Sequence, residues 1–206
     1  MNHITELVGC TRVFAYDLFY RHNPTMESTY TIESINRADT PARLIEELDH
    51  WMAIRFKSYV WMPSAGEKDV QFILARDKAS GELIGRCPII TREITVGGQP
   101  LTITAVAGII VKDELQGQRI GDAMMKEAMK YVEHASPKFC VLMCNEELAR
   151  KYARYGFECI EGGNPWFDQP GGVRAQYKPN SGVTMVYAKD DAVWPEGELD
   201  LKGLPF

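Results

Sequence analysis

An apolar run, Thr102–Val111, leads into the glycine- and glutamine-bearing turn DELQGQRIG, then a helical stripe, then a second apolar run, KFCVLMC at residues 138–144. No other feature of the chain restricts its fold as much. The stripe Ile120, Met124, Ala128, Tyr131, Val132 recurs at helical spacing to about His134. Two extended segments joined by a crossover helix pair in parallel. The turn between the first strand and the helix offers unpaired backbone N–H groups and the positive end of a helix dipole, a combination that suits phosphate. It is neither GxxxxGK[ST] nor GxGxxG with an acidic residue placed for a ribose. Taken alone, it is equally a connection whose glycines serve geometry.

Upstream, DVQFILARD (69–77) reads as a strand, KASGE as a tight turn, and residues 83–96 as a second strand with Pro88 at an edge or bulge. With residues 101–111 as a third strand, 69–111 form an antiparallel meander. A helix is expected with Thr40 as N-cap and Pro41 in first position, carrying Leu44, Ile45, Leu48, Met52 and Phe56 to about Tyr59. His50 and Trp51 lie on it, as a surface histidine and a core tryptophan or as walls of a pocket. Residues 10–22, with Phe14, Tyr16, Phe19 and Tyr20, show no clean period, and NPTMEST follows as a polar turn. Downstream, a helix Glu146 to Tyr155 ends at Gly156, GFECIEG is a strand, residues 161–182 form a long loop with the character of a lid, and 182–188 form the last strand. The fold class that follows is α/β. The chain, 1–206, reads as one domain, with an N-terminal helical part (1–65), a core (69–190) and a tail (191–206).

A formal charge of −5 argues against a general nucleic-acid surface and leaves room for a cationic substrate. No segment approaches the ~20 apolar residues of a membrane span, and the start MNHITELVGCTRVF has no secretory pattern, so a cytoplasmic protein is expected. Cys10, Cys87, Cys140, Cys144 and Cys159 form no CxxC pair and read as reduced thiols. Cys140 and Cys144 alternate with Val141 and Met143 as buried strand residues. The four histidines lack zinc spacing, and no metal is expected.

QGQRIG, Gln116 to Gly121, lies after a strand ending IIV and before an amphipathic helix. It resembles the Q/R-x-x-G-x-G/A pyrophosphate loop of the GNAT superfamily of N-acetyltransferases. NEELARKYARYGF, Asn145 to Phe157, resembles the second signature of that superfamily, an asparagine seven residues before a tyrosine that stands four before Gly-Phe. The resemblance covers roughly residues 69–190. It implies a mixed, mostly antiparallel sheet with a central parallel, splayed strand pair flanked by helices, binding acetyl-CoA as co-substrate. It assigns the backbone of Ile109, Ile110 and Val111 to the pantetheine arm. Gln116, Gly117, Gln118, Arg119, Ile120 and Gly121 would wrap the pyrophosphate, and Asn145 would meet the pantetheine or thioester. Arg119 departs from the pattern, which commonly has glycine there; its backbone N–H is kept and its charge suits phosphate.

The chemistry that the resemblance implies is acyl transfer to an amine, which needs a neutral nucleophile, an oxyanion donor and a proton for the departing thiolate. A backbone N–H at the end of strand 101–111 is the usual oxyanion donor in such proteins. Tyr152 is the candidate general acid, a phenol protonated at neutral pH. The strand glutamate that many relatives use as base is missing from Ala105, Val106, Ala107 and Gly108. Glu93, Glu146, a water relay, an amine that arrives neutral, or an acyl-enzyme on Cys144 stay open as alternatives. WPEGELDLKGLPF resembles endings of the aminoglycoside 2′-N-acetyltransferases and the NodA-type N-acyltransferases, which favours a small-molecule amine such as an amino sugar. The tail is then expected to bring Asp200 and the terminal carboxylate toward a cationic amine, and Trp166, Phe167 and Tyr177 to wall the acceptor. Alternatives are a longer acyl donor, a protein or tRNA acceptor, or a CoA-binding module without turnover. A homodimer is compatible with all of these.

Overall fold

Strand β3 (Leu83–Val96) is fourteen residues long, and its two edges recruit four other strands in succession. The computed structural model describes residues 28–55, 69–160, 164–169, 172–177, 182–203 and 205. Along one edge of β3, β2 (Val70–Asp77) pairs antiparallel and itself carries β1 (Tyr30–Asn36). Where β2 stops, β11 (Leu199–Asp200) takes over the same strand at Val96 and Thr95. On the other edge, β4 (Gln99–Val106) returns through Gly97 and Gly98, both at positive φ, the conformation a two-residue hairpin turn requires.

The third strand expected over residues 101–111 is broken. Ile89 faces Val106 and Arg86 faces Ile110, so Cys87 and Pro88 stand opposite three residues, Ala107 to Ile109, which is a β-bulge. Pro88 is the cause on the β3 side. Its carbonyl accepts from Ala107 N at 3.0 Å, but a proline has no N–H to return. Gly108 is the cause on the other, with φ +44 and the side chain of Met52 close enough to exclude a Cβ. Pairing resumes as β5 (Ile110–Val111).

From β5 the chain passes the turn into α2 (Ile120–His134), and returns as β6 (Phe139–Cys144), parallel to β4 at Thr104–Cys140 and Ala105–Val141. The parallel pair read from the crossover is therefore present. Helix α3 (Glu146–Ala153) ends before Tyr155, then β7 (Glu158–Cys159) and β10 (Val183–Ala188) complete that side antiparallel. Residues 161–182 are not one loop: β8 (Trp166–Gln169) and β9 (Val173–Gln176) form a hairpin inside them, and β8 pairs with β11 of the tail. The Gly and Pro residues of this stretch mask these short strands in the sequence.

Helix α1 (Ala42–Arg55) begins later than expected. Pro41 lends only its carbonyl, to Leu44 N and Ile45 N, and Thr40 is no side-chain cap because its hydroxyl donates to Asn36 O. The expected end near Tyr59, like the aromatic stretch 10–22, lies outside the described residues. The part of 1–65 that is described also holds a strand, β1, with alternation in YTIESIN too weakly apolar to stand out.

Alternation along the strands divides the core. Ile73, Ala75, Cys87, Ile89, Val106, Cys140 and Leu142 face α2 through Met124, Ala128 and Val132. On the opposite face, Leu48 and Met52 of α1 cover Phe72, Leu74 and Ile90, while Phe167, Leu199 and Leu201 cover Ile94, Val96, Ile103 and Val141. The tail is thus core, through β11 and through Trp194, which stacks edge-on against Phe139 at 5.2 Å.

Candidate functional site

Beyond Ala105 and Val141 the two parallel strands part, because the bulge keeps 107–111 on β3 while β6 continues along β10. A cleft of about 400 Å³ opens there. Its walls include Ile109, Ile110 and Val111 on one side and Leu148 and Tyr152 of α3, with Tyr155 just beyond that helix, on the other, and the turn before α2 is its floor. Gln116, Gly117, Arg119, Ile120 and Gly121 all line it; Gln118 belongs to the turn but not to the wall.

The turn is built to leave its N–H groups outward. Gly117 has φ +83 and Arg119 has φ +62, a left-handed conformation that a non-glycine residue adopts at a cost of about 1–2 kcal/mol. Arg119 is the N-cap residue of α2 and makes no side-chain cap bond. A Cβ on Gly117 would meet nothing within 4 Å, and one on Gly121 only Val111 at 3.9 Å, so both face open space. Gln116 Nε2 donates to Asp113 Oδ1 at 2.6 Å, which steadies the turn from outside. The bulge leaves the N–H groups of Gly108 and Ile109 outside the backbone ladder of the described residues.

Four cations, Arg55, Arg119, Lys151 and Arg154, border this cleft against one carboxylate among its walls, Asp122, in a chain whose net charge is −5. Asp122 is already engaged: Tyr155 Oη donates to it at 3.0 Å and Arg154 Nη2 at 3.4 Å, which ties α3 to the first turn of α2. Arg55 reaches the rim from α1 and meets Asp113 at 3.5 Å. Arg55, Lys151 and Arg154 were not found by sequence reasoning. The pair in KYAR had a usable signal, since residues three apart share a helix face; Arg55 had none.

Tyr152 projects from α3 into the cleft, its ring edge-on to Phe157 at 6.4 Å. Burial, then the neighbouring Cys87, Cys144 and Tyr155, push its phenol above the ordinary value of 10.0, so it is held protonated. Asn145 caps α3, its Oδ1 accepting from Leu148 N at 2.9 Å, and, like Gln118, it is not part of the cleft wall. Cys144 lies beside Met185 with its sulfur 3.8 Å from Sδ, and burial pushes its thiol up to about 11, a poor thiolate source for an acyl-enzyme. Glu93 is removed from this chemistry altogether: it faces Thr102 near the start of β4, at the opposite end of the sheet. Glu146 is exposed in the first turn of α3. His50 is exposed on α1, and Trp51 packs against the cluster beneath that helix.

The expected acceptor carboxylate is also occupied. Asp200 is buried in β11, with Arg174 Nη2 at 2.9 Å and Lys202 Nζ at 3.5 Å. Two cations answer its charge, so it does not stand free toward an amine. Among the described residues no three His, Cys, Asp or Glu side chains gather as a metal site, and no helix is long and apolar enough to cross a membrane.

The sequence matches the acetyltransferase (GNAT) domain model over residues 46–160. No curated protein matches it. Among solved structures it is similar to the GNAT family N-acetyltransferase YhbS from Escherichia coli in complex with CoA, at 16% identity over 88% of this chain and 94% of that one, TM-score 0.56. It is similar to Escherichia coli ElaA at 15% identity, covering 77% of this chain and 99% of that one, TM-score 0.55. A GNAT family acetyltransferase from Brucella melitensis in complex with acetyl-CoA aligns at 14% identity over 82% and 94%, TM-score 0.53. At such identities the structural likeness establishes the fold; the domain match, over more than half the chain, establishes the family.

Proposed function

This chain belongs to the GNAT family of acetyltransferases, and from that premise we propose that it transfers the acetyl group of acetyl-CoA to the primary amine of a small molecule. The observation that carries this reading is the cleft itself. An uncapped helix N-terminus, with four cations around it, opens at the point where two parallel strands part. Solved relatives of this fold hold CoA or acetyl-CoA.

In this reading the N–H groups of the turn Gln116–Gly121 and the positive end of α2 take the pyrophosphate. The Arg55, Arg119, Lys151 and Arg154 side chains add charge-assisted bonds to its phosphates. The backbone of Ile109, Ile110 and Val111 holds the pantetheine arm, and the Asn145 amide N–H₂ lies at its thioester end. The amine attacks the thioester carbon, the carbonyl oxygen becomes an oxyanion, and a freed N–H of the bulge stabilises it. Collapse breaks the C–S bond, and Tyr152 gives its proton to the departing thiolate. Among the described residues the one carboxylate on the cleft wall, Asp122, is already engaged, so in this reading the amine enters neutral or loses its proton to water. The net charge of −5 suits a cationic acceptor, and the choice of a small molecule rests on the resemblance of WPEGELDLKGLPF to endings of amino-sugar acyltransferases.

The test is to incubate the purified chain with acetyl-CoA and a panel of small amines, amino sugars included, and to follow thiol release with the mass of the amine product. Release of CoA with an acetyl group gained by one amine is the expected result. Binding of acetyl-CoA with no release across the panel overturns the small-amine assignment.

A further inference from the structure

A second cavity, of about 590 Å³, lies at the other end of α2. Helix α2 has fifteen residues, so its two ends are about 22 Å apart at 1.5 Å per residue. The hollow exists because the α2-facing side of the sheet changes character there. Along β3 the buried Cys87 and Ile89 give way to Thr91 and Glu93, and along β4 Val106 gives way to Thr104 and Thr102. The last turn of α2 nevertheless continues over this polar end, and Ser136 and Pro137 close the side. Thr104 bounds the hollow inward, its hydroxyl donating to Phe139 O.

The polar groups that remain are half-buried or exposed. Among the described residues, the Asp69 carboxylate and the hydroxyls of Thr91, Thr102 and Tyr131 make no hydrogen bond or ion pair, although all four line one cavity. Glu93 faces Thr102 in register on the same side of β3 as Thr91, exposed and outside the cavity lining. The negative pole of α2 is already met: Lys189 Nζ donates to Val132 O and Ala135 O. His134 Nδ1 lies 2.7 Å from Lys130 O, and because a carbonyl only accepts, Nδ1 donates. The cavity thus presents the Asp69 carboxylate, hydroxyls that donate or accept, and the side of a phenol ring. Polar groups that converge on one open hollow of this size are what a small-molecule site provides.

We propose that this cavity binds a small hydroxylated amine, with its ammonium on Asp69 and its hydroxyls on Thr91, Thr102 and Tyr131, separately from the acetyltransferase cleft.

Glucosamine is the probe, titrated into the isotope-labelled full chain while backbone amide shifts are followed. Saturable shifts centred on Thr91, Thr102, Tyr131 and Ser136 are expected, with a Kd of about 1 mM or tighter. Asp69→Asn, an exposed change whose spectrum reports retained folding, should weaken binding at least tenfold. N-Acetylglucosamine, with the hydroxyls but no charge, should bind at least tenfold more weakly. The proposal is overturned by an absence of saturable shifts at these residues, by unchanged affinity in Asp69→Asn, or by equal binding of the neutral sugar. CoA titrated into the same sample reads the cleft through Gly117 and Arg119, so either site can fail while the other stands.

Discussion

Helices α2 and α3 both begin at the same cleft, and their N-termini are finished in opposite ways. Asn145 closes α3 in the common manner, with a side-chain oxygen on Leu148 N. Helix α2 has no side-chain cap, and its N-cap residue, Arg119, is an arginine at positive φ. A capped start maximises stability. An uncapped start under backbone strain, with four cations near, keeps its N–H groups for something that is not protein. On the proposed reading, this difference gives α2 to the ligand and leaves α3 to carry Tyr152.

The largest effect should come from the α3 side. Tyr152→Phe removes one hydroxyl and should lower turnover by about two to four orders of magnitude while acetyl-CoA affinity stays within a few-fold, read by thiol release and by calorimetry. Because burial raises this phenol above 10.0, the wild type should keep its rate on the alkaline side of neutrality until beyond the ordinary phenol range. Near-full turnover in the variant would make Tyr152 a packing residue.

On the α2 side, Gly121→Asp places a carboxylate where the pyrophosphate is assigned, and CoA affinity should fall at least tenfold, about 1.4 kcal/mol. The added Cβ meets only Val111 at 3.9 Å, so the melting temperature should hardly change. Equal CoA binding in both proteins would break the contrast between the two helix starts.

Two smaller changes should move stability in opposite directions. Asn145→Ala removes a working cap and should cost about 1 kcal/mol in denaturant unfolding. Arg119→Gly relieves a left-handed side chain and should gain up to about 1 kcal/mol, less what glycine loses in chain entropy, while weakening CoA several-fold through one lost charge. If Arg119→Gly is both more stable and equally tight for CoA, the strained arginine serves no ligand.

The site was legible in the sequence to the extent that it is made of contiguous residues. The turn Gln116–Gly121 and the tyrosine in KYARYG were readable because a strand, a glycine turn and a helical stripe each announce themselves over a few residues. Arg55 was not, being some sixty positions from the turn whose rim it joins. Glu93, as a candidate base, was misplaced because its strand is long enough to hold one end at the cleft and the other at the distal cavity. Asp200 carried the right charge for an amine, yet the pairing of β11 brought Arg174 and Lys202 to it first.

By itself the sequence determined the succession of strand, turn, crossover helix and parallel strand, because periodicity and glycine placement act within a few residues. It also held both causes of the bulge, Pro88 and Gly108, but their alignment across two strands is a matter of register. Only the tertiary structure decided where the third strand breaks, which cations gather around an uncapped helix, that the tail becomes a strand beside β3, and that hydroxyls and a carboxylate share a hollow at the far end of α2. Each of these depends on residues distant in the chain being held at contact distance, and backbone hydrogen bonding sets that distance only once the sheet has formed.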